Sequence, residues 1–344
     1  MVDIIDPTSY PDWNDHIKEL DGCSIFYSSN WAKILKESYG YRPLYFSFFE
    51  NDKIVGLAPF FEVNSLLTGK RGVALPFTDF CDLIANEEET LNQLLEAFTD
   101  YGAKNKWKYY ELRGGKAYMN QAVKPSSVLL EHTFTLNGSD DDLFASVKGI
   151  TRRNINRAVR ENVTNKISKS RDSLQEFYKL NCLTRKRHGL PPQPRKFFKN
   201  FYEHILAKDQ GFLVKSYFRN EVIACGVFMH FGQKSIYKYS ASNFAFKKLR
   251  ANYSFLWEGI KELNRLGSTS VSFGRTEPSN KGLREFKTSW NPKEEEVFYY
   301  KYDFKERNFV EILDKVKGPH NLIFRNMPNP LLRLAGDLAY KHMA

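Results

Sequence analysis

The sequence lacks the short motifs on which the commonest enzyme chemistries are built. Its four cysteines, Cys23, Cys81, Cys182 and Cys225, are scattered without Cys-x-x-Cys spacing. That argues against a zinc site and, in a reducing compartment, against disulfides, so they read as small buried apolar residues. There is no Walker loop, Gly-x-Gly-x-x-Gly, His-Glu-x-x-His or Gly-x-Ser-x-Gly. P-loop chemistry, hydride transfer and zinc hydrolysis lose their signatures, and no metal or tightly bound cofactor is expected. No stretch approaches the roughly 20 apolar residues that span a bilayer. The opening "MVDIIDPTSYPDW" has neither a basic n-region nor an apolar h-region, so the expected location is cytoplasmic. Low-complexity tracts are absent too, which excludes disorder as the main state.

What remains is a chain of 344 residues, 42% hydrophobic and 15% aromatic, long enough for two domains with their own cores. Its formal net charge is +11. The basic residues come in clumps: Lys104 to Lys108, Arg152 to Arg160, Arg185 to His188 and Lys247 to Arg250. Such clumps are either solvated faces or sites for an anionic partner, whether nucleic acid, a nucleotide or lipid diphosphate, or an anionic membrane surface.

The patterning falls into two similar halves. In the first, helical periodicity at Trp13 to Leu20 and Asn30 to Tyr39 precedes two apolar runs joined by Glu-Asn-Asp-Lys, which predict a hairpin. "GVALPF" predicts a strand, residues 88 to 105 an amphipathic helix, and "WKYYELRG" and "HTFTLNG" two more strands. The second half has a helix from Asp140 to about Asn162, another from Asp172 to His188 stopped by Gly189 and the prolines beyond, and a third from Arg195 to Lys208. "YFRNEVIACG" then lies on "FFENDKIVGLA" at a separation of about 168 residues, an internal duplication. A strand, a helix from about Leu249 to Leu266, and strands "STSVSFG" and "EVFYYKYDF" complete it. This predicts an α+β fold of two tandem domains with mainly antiparallel sheets, at 1–138 and 139–303, with a basic helical tail over 304–344.

Three basic stretches are candidate sites. "SFGRTEPSNKGLREFKTSW" brings Arg275, Lys281, Arg284 and Lys287 to a strand end, where Gly274 permits a backbone geometry other residues resist; the alternative is a basic surface loop. "KGITRRNINRAVREN" aligns Arg153, Arg157 and Arg160 along one helical stripe, with Ile155, Ala158 and Val159 opposite. That stripe is either a solvated face or a phosphate site, since guanidinium pairs bidentately with phosphate. In "NFAFKKLRANYSFLWEGIKEL", Lys247, Lys248 and Arg250 precede a helix start that itself favours an anion, while Tyr253, Leu256, Trp257, Ile260 and Leu263 form a core stripe. His188 reads as a helix cap, and Asp79 and Asp82 as turn-fixing acids or a carboxylate pair.

With the duplication established, "FGRTEPSNKGLREFKTSWNPKEEEVFYYKY" resembles the signature region of FemAB-like proteins, which are tandem GNAT-type acyltransferase folds. "NWAKILKESYGYRPLYF", "LPFTDFCDLI", "EFYKLNCLTRKRHGLP" and "LRANYSFLWEGIKE" agree in order, so the resemblance covers about residues 25 to 303. It is nearest to the FemAB-related proteins of exopolysaccharide and protein-sorting loci. The resemblance implies that Phe286 and Lys287 lie at an acyl-transfer site. Lys287 would stabilise charge on the carbonyl oxygen, an effect of about 3 kcal/mol for one such donor, and Phe286 would either stack on the donor or anchor the loop. Lys33 and Lys36 straddle the position where the family places a lysine that assists precursor binding. An acetyl-CoA enzyme of this fold would show a glycine-rich pyrophosphate loop, and "FKKLRANY" has no glycine, which counts against acetyl-CoA and leaves the donor open between aminoacyl-tRNA and another acyl-CoA.

The implied activity is transfer of an aminoacyl or acyl group to an amine or hydroxyl of a cell-envelope glycan, peptidoglycan or exopolysaccharide precursor. A non-catalytic protein binding a glycan or nucleotide precursor is the alternative, and an RNA-binding protein, on charge alone, the third. In the tail, Leu331, Leu334, Ala335 and Leu338 share a stripe that either docks on the protein's own core or lies peripherally on the inner membrane face, near a lipid-linked acceptor.

Overall fold

The computed structural model describes residues 2–18, 20–116, 118–119, 123–311 and 320–344. In chain order the elements are β1 (Val2–Ile5), α1 (Trp13–Lys18), α2 (Ser29–Tyr39), β2 (Arg42–Glu50), β3 (Lys53–Ser65), β4 (Gly69–Ala74), β5 (Ile84–Ala85), α3 (Glu88–Lys104), β6 (Tyr109–Arg113), β7 (Ser127–Thr135), α4 (Asp140–Ser146), α5 (Gly149–Arg160), β8 (Thr164–Ser168), α6 (Arg171–Arg187), α7 (Arg195–His204), β9 (Gly211–Phe218), β10 (Glu221–Phe231), β11 (Lys234–Ser242), α8 (Ala251–Arg265), β12 (Ser270–Thr276), α9 (Lys281–Thr288), β13 (Lys293–Asp303), β14 (Asn308–Phe309), α10 (His320–Asn326) and α11 (Asn329–Ala339). Internal contacts divide the chain into two units. The first comprises Met1–Leu130, Glu296–Lys315 and Ala339–Ala344, and the second Glu131–Glu295 and Val316–Leu338. The division falls within β7, ahead of the expected Gly138–Ser139.

In the first unit the sheet order is β1-β2-β3-β4-β6-β13, and in the second β12-β11-β10-β9-β8. The duplicated hairpins have the same turn. Asn51 and Asp52 join β2 to β3 with φ of 48° and 62°, and Arg219 and Asn220 join β9 to β10 with φ of 50° and 65°. Two consecutive left-handed residues define the two-residue turn whose twist matches that of the flanking strands.

Each unit also contains a parallel pair bridged by a helix: β4 and β6 across α3, and β11 and β12 across α8. In the second unit the parallel pairing stops at Ile236 and Ser272, while β11 runs on to Ser242 along β10 and β12 runs on to Thr276. The two strands therefore diverge towards their carboxyl ends.

The core beneath them contains Phe228, Phe255, Leu256, Ile260, Leu263, Val271, Phe273 and Trp290. Each fully buried aliphatic side chain there stabilises by about 1.5–3 kcal/mol. Gly259 brings α8 against β10, for a Cβ at that position would stand 2.2 Å from the Phe228 ring. Tyr253 and Trp257 pack at the margin.

Several expected elements differ. The long helix from Asp140 breaks into α4 and α5 because Val147 is extended, with ψ 152°. Ser139 caps α4 with a reciprocal Asp142 bond. Val159, expected on the docked face of α5, is 63% exposed, while Ile155 and Ala158 are buried. The strand expected at "GVALPF" ends at Ala74, since Leu75 and Phe77 have positive φ. Of the two placements open to the tail stripe, docking on the protein's own core is not the one formed: Leu331, Leu334 and Leu338 face outward, and α11 packs through Leu332 and Gly336. Gly336 sets this orientation, because a Cβ there would lie 2.1 Å from the Pro192 carbonyl oxygen.

Candidate active site

At the carboxyl end of β11 lies a cleft of about 290 Å³, lined from the β10–β11 side by Ala224 and Ser242, from the following loop by Asn243 and Lys247, from the start of α8 by Arg250 and Tyr253, and from α9 by Phe286. Ligands of open α/β sheets bind at such carboxyl strand ends. Asn243 caps the short 3-10 turn by accepting from Ala245 N, and the chain enters α8 through Arg250 in the left-handed region, φ 60° and ψ 25°. The missing glycine thus has not removed the turn: Arg250 occupies a conformation that glycine adopts most easily. No side chain caps α8. Its first-turn N–H groups, the positive end of the helix dipole and the cations Lys247 and Arg250 all favour an anion at this point.

Phe286 lies edge-on to Tyr253 at 5.1 Å between ring centroids, and Tyr253 stacks on Trp290 at 6.0 Å. The ring therefore both anchors α9 on the core and presents a face to the cleft. Lys287, one residue on, is only 5% exposed. Its Nζ donates to the Gly274 carbonyl at 2.7 Å and to that of Arg275 at 3.0 Å. Gly274 has φ 69°, the left-handed geometry anticipated there. The ammonium thus pins the backbone where β12 leaves its neighbour, inside the protein and off the cleft wall.

The other predicted cations disperse. Arg284 forms a two-point ion pair with Glu294, at 2.9 and 2.5 Å. Lys281 is exposed at the start of α9, and the side chain of Arg275 is exposed on β12. The expected gathering of four cations is therefore not formed, because Glu294 neutralises one and two carbonyls bind another. On α5, Arg153 is exposed and Arg157 pairs with Glu161 at 3.7 Å. Lys248 is exposed beside the cleft but does not line it. Lys36, in the first unit, is held by Asp6 at 2.7 Å and Thr8 at 2.9 Å. Asp82 accepts from the Leu83 N–H, the turn-fixing role, while burial raises its carboxyl above the usual range.

Sequence reasoning missed a constellation under α9. His132 of β7 is fully buried, and its Nε2 lies 2.9 Å from the same Glu294 carboxylate that holds Arg284. Burial, and next the charge of Lys287, depress the imidazole pKa. The Arg284 hydrogen bond chiefly keeps Glu294 below its ordinary value. The neutral imidazole and charged carboxylate clamp α9 to the sheet. Only a three-dimensional contact reveals this pair, whose members are 162 positions apart. Among the described residues no cluster of three or more metal-ligating side chains occurs, and no helix is long and apolar enough to cross a membrane.

Residues 145–288 match the family described as the acetyltransferase (GNAT) domain. No curated protein matches the chain. Among solved structures, FemX is similar with a TM-score of 0.67 at 15% identity, over 85% of this chain and 95% of that one. The C-terminal domain of a putative lysylphosphatidylglycerol synthetase from Agrobacterium fabrum gives 0.52 at 13% identity, over 83% and 89%. A tandem GNAT protein from the clavulanic acid biosynthesis pathway gives 0.52 at 6% identity, over 80% and 87%. The duplicated hairpins, the splayed parallel pair and these matches agree: residues 145–288 are similar to the GNAT acetyltransferase domain, and the chain has a tandem GNAT fold like that of FemX.

Proposed function

We propose that the second unit transfers an acyl or aminoacyl group to an amine or hydroxyl of a cell-envelope glycan or lipid-linked precursor. The observation that carries this reading is the cleft at the carboxyl end of β11, where Phe286, Lys247 and Arg250 meet the uncapped start of α8. A phosphate-bearing donor, either acyl-CoA or the acceptor end of an aminoacyl-tRNA, would rest its phosphates on that helix start. Its carbonyl would then lie between the strand ends. The nucleophile adds to the carbonyl carbon, the new C–N or C–O bond forms, the donor's C–S or C–O bond breaks, and the proton the nucleophile gives up departs on the leaving thiol or ribose hydroxyl.

Lys287 serves this step from behind the Gly274–Arg275 backbone. It ties α9, which carries Phe286 into the cleft, to the end of β12, and contributes the field of a buried cation to the developing oxyanion. The names of FemX-like and lysylphosphatidylglycerol synthetase-like neighbours favour aminoacyl donors and envelope acceptors. The outward Leu331, Leu334 and Leu338 suit peripheral contact with a membrane that presents such an acceptor.

The test is to offer the purified protein aminoacyl-tRNA and acyl-CoA separately, each with an amino-sugar acceptor, and follow loss of the acyl bond. Turnover with one donor, weakened by Lys247→Glu with Arg250→Glu, is expected. Inertness toward both donors, or an unaffected double variant, overturns the proposal.

A further inference from the structure

A second groove lies elsewhere in the second unit, between the antiparallel α6 and α7, and has a volume of about 450 Å³. Its floor is apolar and aromatic, made by Leu174, Tyr178 and Phe198. Four cations surround it: Lys179 from α6, Arg195 and Lys199 from α7, and Arg333 from α11. A fifth, Arg171, is already paired with Glu203. Among the described residues none of the four has a carboxylate in ion-pair reach. Arg195 and Arg333 instead lie over the Tyr178 ring, each 5.8 Å from its centroid.

Like charges so placed repel one another, and a fold ordinarily intersperses acids among them. Here the nearby acids are few: Glu203 is committed to Arg171, and Asp337 stands one turn beyond Arg333 on an exposed position. Two buried donors are also poorly satisfied among the described residues. One is the hydroxyl of Tyr178, a residue only 7% exposed, whose side-chain neighbour is the Cys182 thiol, a weak acceptor, and the other is the Nε of Arg333. Buried polar groups are normally hydrogen-bonded, and a poorly satisfied pair beside unneutralised cations marks a place for an acceptor that the chain does not supply.

We propose that this groove binds a phosphate ester, with the anion held by Arg333, Tyr178 and the two lysines and an apolar or planar portion on the Leu174–Phe198 floor. Guanidinium and hydroxyl donors converging from three helices suit a compact multivalent oxyanion. The enclosed volume suits a small headgroup better than the backbone of an RNA, which would track an open surface. The site is independent of the acyl-transfer cleft and does not rest on the activity proposed for it. Two sources share this chemistry, a soluble nucleotide or diphosphate and the headgroup of an anionic lipid.

Titration calorimetry with inorganic pyrophosphate and with ADP tests the soluble source. Co-sedimentation with vesicles of phosphatidylcholine alone, or mixed with phosphatidylglycerol, tests the lipid. Lys179→Gln with Lys199→Gln removes two exposed charges and should weaken binding at least tenfold in whichever arm is positive. Tyr178→Phe keeps the floor and should weaken it about tenfold through the lost hydroxyl. Lys18→Gln with Lys53→Gln, an equal change of net charge in the first unit, should leave binding unchanged. Binding in either arm that follows this pattern supports the site and names its source. Absence of binding in both arms, equal loss in the Lys18 and Lys53 control, or binding of RNA alone overturns it.

Discussion

The two helix-bridged parallel pairs are copies of one plan with opposite electrostatics. In the first unit α3 begins with Glu88 and Glu89 behind Glu87, so the chain's own carboxylates occupy the positive end of the helix dipole. Two arginines of that unit, Arg71 and Arg113, are turned inward. Arg71 donates to the carbonyls of Ala344 and His342, at 2.8 and 3.0 Å, and Arg113 to those of Leu75 and Thr78, at 3.1 and 3.3 Å. In the second unit the corresponding helix α8 starts without a side-chain cap, and Lys247, Lys248 and Arg250 precede it. A duplicated fold thus keeps one copy internally satisfied and leaves the other with donors for an external anion. The charge at one helix start, and not the backbone, separates the two.

The largest effect should come from the residue that ties α9 to the end of β12 in the open copy. Lys287→Met deletes a buried cation and leaves the Gly274 and Arg275 carbonyls without that donor. It should lower unfolding stability by about 2–3 kcal/mol, read by denaturant melts, and reduce turnover about a hundredfold. If Lys287→Arg restored stability but not turnover, the geometry of the ammonium would matter beyond anchoring; an unchanged melt for Lys287→Met would discredit the anchor. Next comes charge reversal. Lys247→Glu with Arg250→Glu should weaken donor binding about thirtyfold, near 2 kcal/mol for two charges at a helix start. The mirror change, Glu88→Lys with Glu89→Lys, should leave turnover alone and cost about 0.5–1 kcal/mol in stability. Equal losses of activity from both pairs would erase the distinction between the copies.

The contrast was half legible in the sequence. The hairpins announced themselves because Asn51, Asp52 and Asn220 tolerate positive φ between alternating apolar runs, and α8 because its apolar stripe keeps helical period over four turns. The basic loop before α8 was also plain, yet its missing glycine bore only on the acetyl-CoA donor, and only the backbone shows Arg250 in the left-handed region. Helix α9 was read as a loop since Ser279, Asn280 and Gly282 favour turns. It is helical because Asn280 caps it and Phe286 and Trp290 are drawn to the core, a tertiary effect that outweighs local preference. The tail stripe had the right period, but the period left open which face docks; a glycine, not the leucines, decides which face can approach Pro192. The Glu294 clamp could not be seen at all, since nothing local links it to His132.

That clamp gives the open copy a pH dependence of its own. Burial and the Lys287 charge depress the folded-state pKa of His132 below the ordinary histidine value. The unfolded chain therefore binds the proton more readily, so this contribution to stability is complete above about pH 6.5 and is lost as pH falls towards the folded pKa. Glu294, also depressed, adds a further loss at lower pH, as its carboxylate is protonated. Melts between pH 7.5 and pH 5 should show a steeper decline for the wild type than for His132→Gln. Parallel curves would remove His132 from the account.

The smallest effect probes the backbone difference directly. Arg250 has φ 60°, whereas Glu87, which precedes α3, is extended at φ −138°. A non-glycine residue in the left-handed region is strained by roughly 1 kcal/mol. Arg250→Gly should therefore be more stable than Arg250→Ala by up to about 1 kcal/mol, although both remove the same charge and should weaken donor binding alike. Glu87→Gly should move the other way, losing about 0.5–1 kcal/mol through added freedom of the unfolded chain. Thermal melts of the three variants decide the matter: opposite signs at the two helix starts tie the conformation of Arg250 to the open copy, and equal stability of the glycine and alanine variants would mean that the turn is not held as described.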